Sequence, residues 1–201
     1  MPSWNIHLEV GKRLNEKLKL DNDLFMLGNI LPDINNGYIV KGISKVLSHS
    51  YTHYTEDNMY SYKNYLKENK LDNPLLIGYY IHLYTDFLFN NDFYNRINSD
   101  LEHDILRKMK QNDFKKFNNN FLNNKLDIDI SKCIKYVNKM KRISITEKDL
   151  ELVENYLNER KKEDLEYNFY NEDELNDLLN RTVDKIYNEI IEIIWYNLLK
   201  E

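Results

Sequence analysis

This sequence predicts an all-α protein, a compact multi-helix domain, on three observations. Only 5 Gly and 3 Pro occur in 201 residues, too little turn punctuation for a sheet protein. Period-two alternation is scarce. Apolar residues recur instead at spacings of three and four along most of the chain, the pattern of amphipathic helices.

The elements follow in order. Ile6, Val10, Leu14 and Leu18 form the stripe of a first helix with Ser3 as its N-cap. Residues 24–31 read as a short helix stopped by Pro32, and 36–47, with two glycines, as a loop. A helix is expected over 56–67, and Asn73-Pro74 opens another that runs to about Asn90. Residues 101–110, 114–122, 129–140 and 147–159 read as four charged amphipathic helices. A long helix over 172–199 carries Leu175, Leu178, Leu179, Val183, Ile186, Ile190 and Ile194 on one side, a stripe expected to pack internally. Neither an internal repeat nor a break in composition divides the chain. It reads as one helical domain over 1–201, with every histidine in the first 103 residues. Residues 1–110 are therefore the expected metal-site half, and 111–201 a helical scaffold or lid.

Composition excludes several classes. A net charge of −5 lacks the basic face of a nucleic-acid binder, so none is expected as a partner. No apolar run approaches the roughly 18 residues of a membrane span. The start, MPSWNIHLEVGKRL, carries no basic region followed by an apolar stretch, and the single Cys133 forms no internal disulfide. Both point to the cytoplasm. One cysteine also cannot define a thiolate site, so any metal site uses imidazole and carboxylate.

His82 and Asp86 stand four apart in GYYIHLYTDFLFN, on one face of a helix and a turn apart. Their apolar neighbours make this face buried, where a carboxylate needs a partner. A structural hydrogen bond and a metal-ligand pair both fit. His49 and His53 repeat the spacing in SHSYTHY, but Ser50 stands where a metalloprotease has Glu. That segment does not read as helical, and exposed histidines are the plain alternative. Asp33, after Pro32, reads alone as a turn residue, and His7 as a partly buried residue beside the first stripe. Tyr79, Tyr80 and Tyr84 read as core.

Taken together, MPSWNIH at 1–7, LGNILPD at 27–33, SHSYTH at 48–53 and GYYIHLYTD at 78–86 resemble the zinc-dependent phospholipase C family. The likeness extends over about residues 1–95. It implies a helical fold around clustered metal ions, with His7, Asp33, His53, His82 and Asp86 as ligands and His49 substituting for or supporting His53. Asp33 is in addition the candidate general base. The implied reaction is hydrolysis of a small-molecule or lipid phosphate ester by a metal-activated water. Zn²⁺ is the natural ion for imidazole and carboxylate ligands, with Fe or Mn as alternatives.

The chain departs from the family in two places. A further His and a His-x-x-x-Glu pair complete the family's remaining metal position. Here Asn90, Asn91 and Asp92 follow Asp86, and Arg107 stands where Glu would follow His103. Arginine donates only, so one or two ions are expected rather than three. Secreted members also use the amine of a processed N-terminal Trp, a contact not expected of Trp4. Two rival readings remain. His82, His103-Asp104 and Asp149 or Asp173 loosely resemble the order of the helical HD phosphohydrolases. A non-catalytic metal-binding or interaction protein that retains the fold is the other.

Overall fold

The computed structural model describes residues 2–56, 60–97 and 101–198, with side chains as far as Trp195. Among these residues it is all-α: ten α-helices, one 3₁₀ turn and no strand. The first six helices are α1 (Trp4–Leu18), α2 (Asn22–Gly28), α3 (Leu31–Ile34), α4 (His49–Thr52), α5 (Ser61–Glu68) and α6 (Pro74–Arg96). The rest are α7 (His103–Asn118), α8 (Ile130–Val137), α9 (Glu147–Glu159) and α10 (Glu172–Leu198).

The centre of the molecule is α6. Asn73 caps it by accepting from the Leu76 N–H, Pro74 occupies its first turn, and it runs six residues past the expected end. It is buried on nearly all sides, because α1, α2, α3, α5 and α10 all pack on it. The α2 contact is the closest. A methyl group on Gly28 would collide with the Leu75 carbonyl oxygen, and one on Gly78 with the Phe25 carbonyl oxygen. Two helices meet backbone to backbone because both residues at the crossing lack a side chain.

The outer elements follow similar logic. On α10, Leu175, Leu178, Leu179, Val183, Ile186 and Ile190 are all buried, and the helix lies on α6 and α1, so its stripe is internal core as expected. Asp149 closes a capping box with Thr146 at the start of α9. Its carboxylate also accepts from the Ser44 N–H at 2.7 Å and the Ser44 hydroxyl at 2.5 Å, which ties the 36–47 loop to α9.

Five expectations need correction. Pro32 does not stop a helix: α2 ends at Gly28, and Pro32 sits in the first turn of α3. Residues 49–52 are helical, as a single turn capped by Ser48. Ser3 occupies the N-cap of α1, but its side chain makes no cap and donates to the Asn118 side chain instead. The two helices expected over 101–122 are one, α7, ending in a 3₁₀ turn over Asn119–Phe121. The polar run 111–113 continues α7 because Asp113 is a buried anchor, accepting from the backbone N–H groups of Asn168, Phe169 and Tyr170. The helix expected over 56–67 begins at Ser61. Residues 57–59 lie outside the described residues, as does Leu199.

Candidate metal centre

Four elements deliver the site. His7 comes from the first turns of α1, Asp33 from α3, His53 from the end of α4, and His82 and Asp86 from adjacent turns of α6. His7, Asp33, His53, His82 and Asp86 are all buried, none more than 5% exposed. His49 is half-buried and stacks on His53, ring centroids 3.6 Å apart.

Two of the imidazoles, His82 and His53, are aimed by a backbone oxygen. His82 Nδ1 lies 2.9 Å from the Asn29 carbonyl oxygen, a contact set up by the α2–α6 crossing one turn earlier at Gly78. His53 Nδ1 lies 3.2 Å from the His49 carbonyl oxygen and 3.1 Å from Thr52 Oγ1. The short helix that carries it is held to α6 by the Tyr79 hydroxyl, which donates to the Thr52 carbonyl. Tyr54, in the left-handed region at φ 56°, turns the chain away directly after His53. A carbonyl only accepts, so Nδ1 carries the hydrogen in both rings and Nε2 presents a lone pair.

Those lone pairs meet carboxylates. His82 Nε2 is 3.5 Å from Asp86 Oδ2 and 3.8 Å from Asp33 Oδ2. His53 Nε2 is 3.5 Å from Asp33 Oδ1 and 3.6 Å from Asp86 Oδ2. His7 Nε2 is 3.3 Å from Asp86 Oδ1, with its ring stacked on that of His82 at 4.0 Å. None of the three Nε2 atoms and neither Asp86 oxygen makes a hydrogen bond. Buried acceptors that face acceptors repel unless a cation lies between them.

A proton and a metal ion are the two candidates. Burial, reinforced by His49 and His82, holds the His53 imidazole well below its ordinary pKa, so His53 is neutral. Burial and His82 likewise lower His7. Burial alone would also lower His82, but the Asp86 and Asp33 carboxylates outweigh it and raise its pKa. Asp86 is held well below the carboxylate range: His82 and His7 overcome the opposing effect of burial. One proton on His82 leaves His53, His7 and a second carboxylate uncompensated. Two ligands about 2.0–2.1 Å from one tetrahedral zinc stand roughly 3.3–3.4 Å apart, and the contacts above run from 3.3 to 3.8 Å. The donor set therefore fits zinc. Two groups of donors each lie within 4.8 Å of one another: His7, His82 and Asp86, and Asp33, His49 and His53.

Trp4 and Asn36 went unread in the sequence as site residues. The Trp4 indole donates to Asp33 Oδ2 at 3.1 Å and the Asn36 amide to Asp33 Oδ1 at 2.9 Å. Asn29 adds its side chain to its backbone role, donating to the His7 carbonyl. No spacing announces these contacts. The one available signal is their position in the sequence, Trp4 three residues before His7 and Asn29 and Asn36 on either side of Asp33. The HD order is contradicted: His103 and Asp104 are exposed at the start of α7, Asp149 is the cap described above, and Asp173 is exposed in the first turn of α10. Tyr79, Tyr80 and Tyr84 are core, as expected.

A cleft of about 1080 Å³ reaches the cluster, with Asp33, His49, His53 and Asp86 in its wall. His7 and His82, fully buried, lie behind it. Among the described residues no helix is long and apolar enough to cross a membrane. The sequence model described as zinc dependent phospholipase C matches residues 4–197, well beyond the 95 residues on which the resemblance was read. No curated protein and no solved structure matches the chain.

Proposed function

The chain belongs to the zinc-dependent phospholipase C family, and from that membership we propose that it is a metal-dependent phosphoesterase acting on a lipid or small-molecule phosphate ester. One observation carries the reading: the Nε2 atoms of His53 and His82 and the carboxylates of Asp33 and Asp86 face one another at 3.5–3.8 Å in a buried space without a hydrogen bond between them.

In this reading His7, His82 and Asp86 hold one ion, and Asp33, His53 and His49 hold a second or complete the first. Zinc is the first choice and Fe or Mn the alternatives. Bound zinc supplies Lewis acidity toward a phosphoryl oxygen and acidifies water enough for attack near neutral pH. The remaining work belongs to the chain. Asp33, fixed at both oxygens by Trp4 and Asn36 and open to the cleft, orients the attacking water and accepts its proton. The Asn29 and His49 carbonyls fix the ring orientations of His82 and His53. Burial of His7 and His82 keeps water from the back of the site.

A second reading, a non-catalytic metal-binding protein that retains the fold, is favoured by one feature. Beyond Asp86, the cleft-lining residues of α6 and α7 include no imidazole and no carboxylate among the described residues. Turnover assays on zinc-loaded protein with phosphate diesters and monoesters separate the two. The phosphoesterase reading predicts hydrolysis that a chelator abolishes and that His82→Ala removes together with the zinc. A zinc-loaded protein inert toward the whole panel favours the second reading.

A further inference from the structure

We propose that Lys110 is the anion-binding residue of the cleft, its buried ammonium taking an anionic oxygen of a phosphate group. The inference extends the phosphoesterase reading to its substrate and rests on it for the identity of the anion.

The sequence predicts nothing unusual at Lys110, a lysine on a charged amphipathic helix. The structure buries it to 5% exposure in the cleft wall. A buried ammonium requires compensation, and Lys110 finds only neutral partners. Nζ donates to Asn90 Oδ1 at 2.8 Å and, more weakly, to the Tyr94 hydroxyl at 3.4 Å. It also lies over the rings of Phe93 and Tyr94 at 5.1 and 4.7 Å. Among the described residues no carboxylate lies within ion-pair distance of it, whereas Lys17, Arg96, Lys115, Lys132, Arg142 and Arg181 each pair with one. An ammonium has three donors. Two are used, and the third remains for the cleft.

The other cations in the cleft wall are engaged or exposed. Lys115 pairs with Glu163 at 3.2 Å, Arg160 donates to the Asn5 amide oxygen at 2.6 Å, and Arg107 is exposed. Position completes the case. Asn90, which holds Lys110, lies four residues after Asp86 on the same face of α6, about 6 Å further along the axis. The helix that supplies His82 and Asp86 to the cluster thus supplies, one turn on, the amide that fixes the ammonium. An anion in the cleft with one end at the cluster has Lys110 within reach of the other. Burial lowers the pKa of Lys110, with Asp86 partly opposing, and a bound phosphate would restore it.

The test is calorimetric titration of zinc-loaded wild type, Lys110→Met and Lys110→Arg with inorganic phosphate and, in a second arm, with glycerophosphocholine, a diester headgroup without lipid chains. Zinc content is measured on the same samples. At equal zinc content, Lys110→Met should bind the anion at least about tenfold more weakly than wild type, the loss expected for a charge-assisted hydrogen bond. Lys110→Arg should retain part of the affinity. The arm in which the Lys110-dependent loss occurs distinguishes free phosphate from a lipid headgroup. Undiminished binding of both probes by Lys110→Met overturns the inference.

Should Lys110→Met fail to fold, nitrogen-15 lysine spectra of the wild type decide the matter: the Lys110 ammonium signal must shift on phosphate addition, and an unmoved signal rejects the site. Lys110-dependent binding without hydrolysis of any ester would leave the anion site standing and reject the phosphoesterase reading. Hydrolysis with Lys110-independent binding would do the reverse.

Discussion

Asp33 has no free choice of orientation, because the Trp4 indole and the Asn36 amide hold its two oxygens. Trp4→Phe keeps an aromatic ring in the core and deletes one of those donors. It should lower kcat about tenfold, the size of one such hydrogen bond, at an unchanged zinc-to-protein ratio. A parallel fall in zinc would assign the indole to metal binding instead.

The imidazoles set the pH response. His82 is raised in the metal-free protein, so zinc must displace its proton at and somewhat above the ordinary histidine pKa of about 6.5. Zinc affinity, measured against a competing chelator, should fall about tenfold per pH unit below that point. His53 and His7 are lowered, so the unfolded chain takes up their protons first. Their contribution to stability is complete above about pH 6.5 and is lost as pH falls toward their depressed values.

At this scale the sequence was readable where spacing encodes contact. His82 and Asp86, four apart on a long helix, had to share a face. His53 was opaque to spacing, since a one-turn helix has no period to detect, and the Trp4 contact joins residues 29 positions apart. Lys110 looked like a surface charge because nothing in α7 itself reveals what α6 places against it.

Among the elements, the crossing of α2 and α6 carries the most consequence. Gly28 and Gly78 let the backbones touch, and that contact sets the Asn29 carbonyl against His82. Gly78→Ala should destabilise the protein by roughly 1–3 kcal/mol, the range for overpacking, measured by thermal or denaturant unfolding. An unchanged midpoint would show that the helices separate readily and that the crossing does not aim His82. Nothing in the sequence announced this role for either glycine, because a close approach is visible only when the partner helix is in place. The start of α6 at Asn73-Pro74 was legible, since capping is local chemistry. The continuity of α7 was not, because Asp113 is anchored by residues more than fifty positions away.

For the whole molecule, periodicity sufficed to give an all-helical protein and to place α9 and α10, whose stripes face the interior. Convergence of residues 7, 33, 53, 82 and 86 was beyond periodicity and came from the family resemblance. We propose, as before, one domain in which residues 1–110 carry the site and 111–201 serve as scaffold. On this view α10 supports α6 from outside, and its contribution to the site is indirect.

The central claim is that a buried set of imidazoles and carboxylates exists to hold zinc. Elemental analysis of wild type and His82→Ala after equilibration with zinc and removal of the unbound ion tests it most directly. The account predicts one or two zinc ions per wild-type chain and loss of zinc from the variant. A folded wild-type protein that retains none, or a variant that retains as much as wild type, would contradict it.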